Sequence, residues 1–103
     1  MYNYKVDFES LEWELPMEGI RHKIFSRGNR KLRLVEYDKK MPLHWCERGH
    51  IGYVLEGEME IKFNEQTYLY RKGDGIFIEN GAEHRHMGRA VTDTVTIVFV
   101  EDI

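Results

Sequence analysis

Three residues of metal-ligand type fall within seven positions of this chain: His44, Cys46 and His50. A second pair, His84 and His86, follows about one strand-turn-strand unit later. Four of the five histidines and the single cysteine therefore sit in two short segments. Imidazole and thiolate suit zinc, copper, nickel or iron better than magnesium or calcium. Residues two apart on a strand point to the same face. His44 and Cys46 can thus converge on one point, and so can His84 and His86. Gly49 allows the chain to turn, so that His50 can enter from an adjacent strand. The competing reading is an apolar ligand pocket with polar fixings, in which the histidines are hydrogen-bonded core residues and Cys46 is a small apolar side chain. A zinc finger is excluded, because one cysteine makes no paired-cysteine knuckle.

The elements that must position these residues read as short strands. Leu11, Trp13 and Leu15 alternate with Glu12 and Glu14, as in a strand with one buried face, until Pro16 and Gly19 interrupt it. Residues 20–25 form a second strand, and residues 26–30 form a turn carrying a glycine and an asparagine. Residues 32–37 form a third strand, with Leu32 and Leu34 on one face. The apolar run 53–55 reads as a central strand. Residues 58–63 alternate, with Met59, Ile61 and Phe63 on one face, and 67–70 answer across a hairpin turn. Residues 76–78 are a further strand. Residues 88–90 read as a loop before the long β-type run 91–100, where Val95, Ile97 and Phe99 oppose Thr94, Thr96 and Val98. No 3.6-residue periodicity of helix length appears. Many short strands between glycine-containing turns indicate an all-β sandwich or barrel.

The chain has 103 residues, the size of one compact domain, and no linker or low-complexity segment divides it. Its formal net charge is −3, with no basic stretch interleaved with aromatics, so nucleic acid is not an expected partner. Arg27, Arg30, Lys31 and Arg33 cluster around a Gly-Asn turn and read as a solvated hairpin end. One cysteine forms no internal disulfide. Neither a signal-peptide core nor an apolar run of membrane-spanning length is present, so the expectation is a cytoplasmic protein without membrane association.

With both histidine segments and the strands laid out, the sequence resembles the cupin superfamily, small single-domain β-barrels of the jelly-roll (double-stranded β-helix) type. The first cupin motif is His-x-His, three or four residues, Glu, six residues, Gly. Here the frame is His44-x-Cys46, three residues, His50, six residues, Gly57, with a cupin-like run Tyr53-Val54-Leu55-Glu56-Gly57-Glu58. The second motif is Gly, five residues, Pro-x-Gly, two residues, His. Here it is Gly73, five residues, Glu79-Asn80-Gly81, two residues, His84. The resemblance spans roughly residues 20–100, and it implies one domain, 1–103, with an N-terminal strand segment 1–19 and a barrel from about 20 onward.

Carried over position by position, the resemblance implies the ligand set His44, Cys46, His50 and His84. Cys46 stands where a second histidine is usual, and His50 where a glutamate is usual. This softer set, with its one negative charge on a thiolate, favours zinc, copper or iron over manganese. His86 is expected to share the inward face with His84, beside the site. Tyr53 and Phe77 are possible pocket residues, expected mainly as core. His22 shares a face with Ile20 and Ile24, Trp45 points outward, and Glu47 and Glu83 sit on the rim.

Two functions are compatible with these residues. One is a metal-dependent enzyme on a small organic molecule, of dioxygenase or other oxidoreductase type, or an isomerase. The other is a non-enzymatic barrel that binds or senses a metal or small ligand. Three protein ligands would favour catalysis, and four would favour a structural or sensing role. Leu11, Trp13 and Leu15 could cover a second copy, and the family's habit at this size implies a homodimer.

Overall fold

In the computed structural model, which describes residues 4–103, alternating apolar residues form nine strands. They are β1 (Glu14–Met17), β2 (Ile20–Arg27), β3 (Arg30–Asp38), β4 (His50–Glu56), β5 (Glu58–Lys62), β6 (Thr67–Arg71), β7 (Gly75–Ile78), β8 (Met87–Ala90) and β9 (Thr94–Asp102). Two 3₁₀ turns, Phe8–Ser10 and Ala82–His84, complete the regular structure. A six-stranded sheet in the order β1-β2-β3-β9-β4-β7 packs against a three-stranded sheet in the order β6-β5-β8. Every pairing is antiparallel, which makes a jelly-roll sandwich.

The period of two decides which residues make the core. Val95, Ile97 and Phe99 of β9 point inward, where they meet Tyr37, Val35 and Arg33 of β3 in register. Val54 of β4 lies opposite Ile97 on the other side. Met59 and Ile61 of β5 close the core from the smaller sheet. Ile97, Val35, Val54 and Val95 are fully enclosed.

Several expectations change. The N-terminal segment does not alternate as one long strand: it makes a 3₁₀ turn and then the short edge strand β1. Residues 1–3 of that expected strand lie outside the described residues. Trp13 is held by its own chain, with the Arg21 guanidinium 4.1 Å and the Lys23 ammonium 4.9 Å from its ring. Residues 88–90, expected as a loop, belong to β8 and pair with β5. Leu32 and Leu34 face outward. Their odd-numbered neighbours Lys31 and Arg33 share the inner face with Val35 and Tyr37. Tyr53 and Phe77 are outward and exposed rather than core, because Val54, Ile76 and Ile78 take the inner positions.

Candidate metal centre

A cleft of about 850 Å³ is lined chiefly by inward-facing residues of both sheets, and the outward Ile51, Phe77 and Val100 also border it. His44, Cys46, His50 and His86 all line it. Three potential ligand atoms, one each from Cys46, His50 and His86, lie within 4.8 Å of one another.

Local structure explains why these three meet. His50 opens β4 opposite Ile78, with the same inward parity as Gly52 and Val54. The residue before it must be glycine: a Cβ on Gly49 would sit 2.3 Å from the Ile78 carbonyl oxygen. The Gly49 amide donates to Asn80 Oδ1 at 2.7 Å, which fixes that approach. Cys46 lies in the irregular connection from β3 to β4, yet its backbone is not loose. Its N–H donates to the His86 carbonyl at 2.8 Å, and the His86 N–H donates back at 2.9 Å. This isolated bridge places the two side chains side by side.

His84 is directed elsewhere. Gly81, at φ 129°, leads into the 3₁₀ turn Ala82–His84, which breaks strand alternation. His84 Nε2 lies 3.3 Å from Glu79 Oε2 and 3.7 Å from Glu83 Oε1, and it does not line the cleft. His44 lines the cleft but is exposed, with Nδ1 3.2 Å from the Pro42 carbonyl. Of the residues singled out in the sequence, Cys46 and His50 come together with His86, His44 stands at the rim, and His84 stands apart. Phe77 lines the cleft while largely exposed, and Tyr53 does not line it.

The hydrogen bonds around the cluster orient its lone pairs. His86 is 5% exposed, and its Nδ1 lies 3.1 Å from the His84 carbonyl. Because a carbonyl only accepts, Nδ1 carries the proton and Nε2 presents a lone pair. That Nε2 is buried and has no hydrogen-bond partner among the described residues. Burial holds the His86 pKa below its ordinary value. The bond to His84 opposes this, and repulsion from His50 and His44 adds to it. The shift favours the neutral ring, whose Nε2 lone pair is able to coordinate. His50 Nδ1 lies 2.6 Å from Glu101 Oε2, so its Nε2 is likewise free to coordinate. Burial alone would raise the Glu101 carboxyl. The bond to His50 and the charges of Arg33, His50 and Lys31 outweigh burial and hold it below its ordinary value. Cys46 Sγ has a weak contact, 3.9 Å from the Arg48 carbonyl. Two imidazole lone pairs and a thiol converging on one point, one of them otherwise orphaned, fit a divalent transition metal.

A second polar group continues from Glu101. Arg33 Nη1 lies 3.5 Å from Glu101 Oε2, and Arg33 Nε donates to His22 Nδ1 at 3.0 Å. Burial raises the pKa of the neighbouring Tyr37 hydroxyl, against the charge of Arg33. Lys31 and Arg33 thus line the cleft rather than a solvated hairpin end. Glu101 was not singled out in the sequence. It continues the inward series Val95, Ile97, Phe99, and that parity is the signal that could have found it.

No curated protein sequence matches the chain. Solved structures do. An RmlC-like cupin from Shewanella frigidimarina superposes with a TM-score of 0.75 at 16% identity, over 98% of this chain and 91% of that one. The polyketide cyclase RemF from Streptomyces resistomycificus superposes with a TM-score of 0.78 at 21% identity, over 98% and 80%. Hydroxypropylphosphonic acid epoxidase from S. wedmorenis superposes with a TM-score of 0.76 at 16% identity, over 93% of this chain but 57% of that one. At these identities the likeness speaks for the fold. A family model described as "Cupin domain" matches residues 33–101, from Arg33 of β3 through Glu101 of β9. The chain belongs to the cupin family.

Proposed function

We infer that this protein is metal-dependent and acts on a small organic molecule held in the cleft, with chemistry of oxidoreductase or isomerase type. The observation that carries the reading is the buried, unpartnered Nε2 of His86, which faces Cys46 and His50. An unpaired buried polar atom is unfavourable by about 1–3 kcal/mol, and coordination removes that penalty. A divalent transition ion here, of zinc, iron, copper or nickel type, would supply Lewis acidity toward a substrate oxygen. Three donors are one fewer than a tetrahedral ion takes, the pattern of catalytic rather than structural sites.

The chain's own residues have distinct parts in this reading. Glu101 holds the proton on His50 Nδ1 and so keeps its Nε2 directed into the cleft. The His84 carbonyl does the same for His86. Cys46 would coordinate through sulfur and lower the charge of the centre. Met59, Ile61, Ile76 and Phe99 exclude water from the apolar wall. A cyclase and an epoxidase on the same fold are compatible with catalysis in such a cleft.

The test is elemental mass spectrometry of untagged protein. Wild type and His84→Ala should carry about one transition-metal ion per chain, and Cys46→Ser and His86→Ala should lose it. No metal in wild type after reconstitution would sink the reading. Loss in His84→Ala with retention in His86→Ala would reassign the ligands to the set carried over from the family motif.

We also place a second copy of the chain on the outer face of the larger sheet. The register aligns Phe77, Ile51 and Val100 in one outward row, all exposed, with Phe77 at 73%. Leu32 and Phe25 extend the row across β3 and β2. A contiguous apolar row on a flat sheet favours a partner surface that is equally flat and apolar, and an identical copy supplies one.

A further inference from the structure

From the unmatched charge on the inner wall, we propose that the molecule the cleft takes is a small organic acid, its carboxylate held by Lys31 and Arg33. The inference rests on the cleft being the ligand site, as read above, but not on a metal being bound there.

Strand parity brings both cations inside. Lys31 pairs with Glu101 and Arg33 with Phe99 on the inward face of the larger sheet. Their side chains are only 22% and 14% exposed, and both line the cleft. Lys31 carries three N–H donors. Its nearest anionic atom among the described residues, Glu101 Oε1, is 3.8 Å away, beyond hydrogen-bond range. Arg33 commits Nε to His22, and its approach to Glu101 is long at 3.5 Å. Glu101 itself is engaged most closely by His50, at 2.6 Å. Two enclosed cations thus share one carboxylate that is already taken. A part-buried ammonium without a close acceptor is unfavourable until an anion reaches it.

The remainder of the cleft specifies the rest of the ligand. Met59, Ile61, Ile76 and Phe99 offer no polar side-chain atom, so they suit a hydrocarbon or aromatic body. One carboxylate on an apolar body matches an excess of one positive charge beside an apolar wall. A cationic ligand would meet repulsion, and a polyphosphate would place further charge against apolar surface.

The test is isothermal titration calorimetry of the purified chain with 1-naphthaleneacetate and its neutral amide, 1-naphthaleneacetamide. Metal content is measured on the same samples, and thermal unfolding confirms that each variant folds. The acid should bind about tenfold or more tighter than the amide, as a charge-assisted hydrogen bond requires. Lys31→Met should abolish the preference, Lys31→Arg should keep it, and Lys72→Met, on the exposed outer Glu56 pair, should leave it unchanged. Equal binding of acid and amide, no binding of either, or an unchanged preference in Lys31→Met overturns the proposal. Full metal content with no acid preference overturns the organic-acid inference and leaves the metal centre standing. Acid preference lost in Lys31→Met, in protein that takes up no metal, upholds it and overturns the metal reading.

Discussion

His86→Phe should change sign with metal. The ring of His86 is buried, its Nε2 is unpartnered, and its nearest aromatic neighbours are His50 at 5.2 Å and Phe63 at 6.1 Å between ring centroids. Phenylalanine keeps a flat ring there and removes the orphaned nitrogen, a gain of about 1–3 kcal/mol. It also removes the 3.1 Å bond to the His84 carbonyl, a loss of about 0.5–1.5 kcal/mol. The net for metal-free protein is stabilisation by about 1 kcal/mol, or roughly 4 °C in Tm for a domain of this size. With zinc at about a hundredfold over its Kd, wild type gains about 2.7 kcal/mol, or roughly 10 °C, and the variant gains little. The assay is thermal unfolding by circular dichroism, first after chelation and then with zinc added. The curves should cross: variant above wild type without metal, below it with metal. A variant less stable in both conditions, with equal zinc shifts, would refute the reasoning.

Other consequences follow from single residues. Gly49→Ala forces a Cβ against the Ile78 carbonyl, so it should lower stability by about 2 kcal/mol or more in urea unfolding and reduce metal content by displacing His50. Ile97→Ala empties a fully enclosed position and should cost about 3 kcal/mol in the same assay. Phe77→Lys should convert a dimer to one subunit mass in light scattering while its circular dichroism stays that of the folded chain. An unchanged mass would remove the outer sheet face as the contact. His22 is held below its ordinary pKa of 6.5 by burial and by Arg33 and Lys31, against the pull of Glu14 and Glu101. The unfolded chain therefore binds the proton more readily than the folded one. Stability is retained above pH ~6.5 and falls as pH drops through it, and His22→Gln should flatten that fall in urea midpoints measured from pH 7.5 to 5.

The core alternation of β5 and β9 was readable because apolar and polar residues strictly take turns there. Met59 and Ile61, like Val95, Ile97 and Phe99, lie inside. The runs 53–55 and 76–78 are apolar throughout, so period two assigns no face, and Phe77 was placed on the wrong side. Lys31 and Arg33 were misread for the opposite reason: charge argued for solvent, while parity with Val35 argued for the interior, and parity prevailed. For the centre itself, the motif frame brought out Cys46 and His50. It could not show that a 3₁₀ turn at Ala82–His84 interrupts alternation and takes His84 off the inner face that His86 keeps. That turn depends on Gly81 at positive φ, and on the pairing of His86 with Cys46, 40 residues earlier in the chain. β8 escaped notice because Gly88 and Arg89 have weak strand propensity, and the pairing with β5 supplies what the local sequence lacks.

The reciprocal backbone bridge between Cys46 and His86 has a mechanical meaning. Cys46 leads into the larger sheet, and His86 leads directly into β8 of the smaller one. Two hydrogen bonds therefore staple the halves of the sandwich at the very residues whose side chains converge. Breathing of the smaller sheet away from the larger one must break the staple and scatter the donors in the same event. The amide protons of Cys46 and His86 are thus a gauge of the whole opening motion. Their deuterium uptake should track that of β5 and β8 and lag whenever the cleft is filled, while β3 and β9 exchange at their own slower pace.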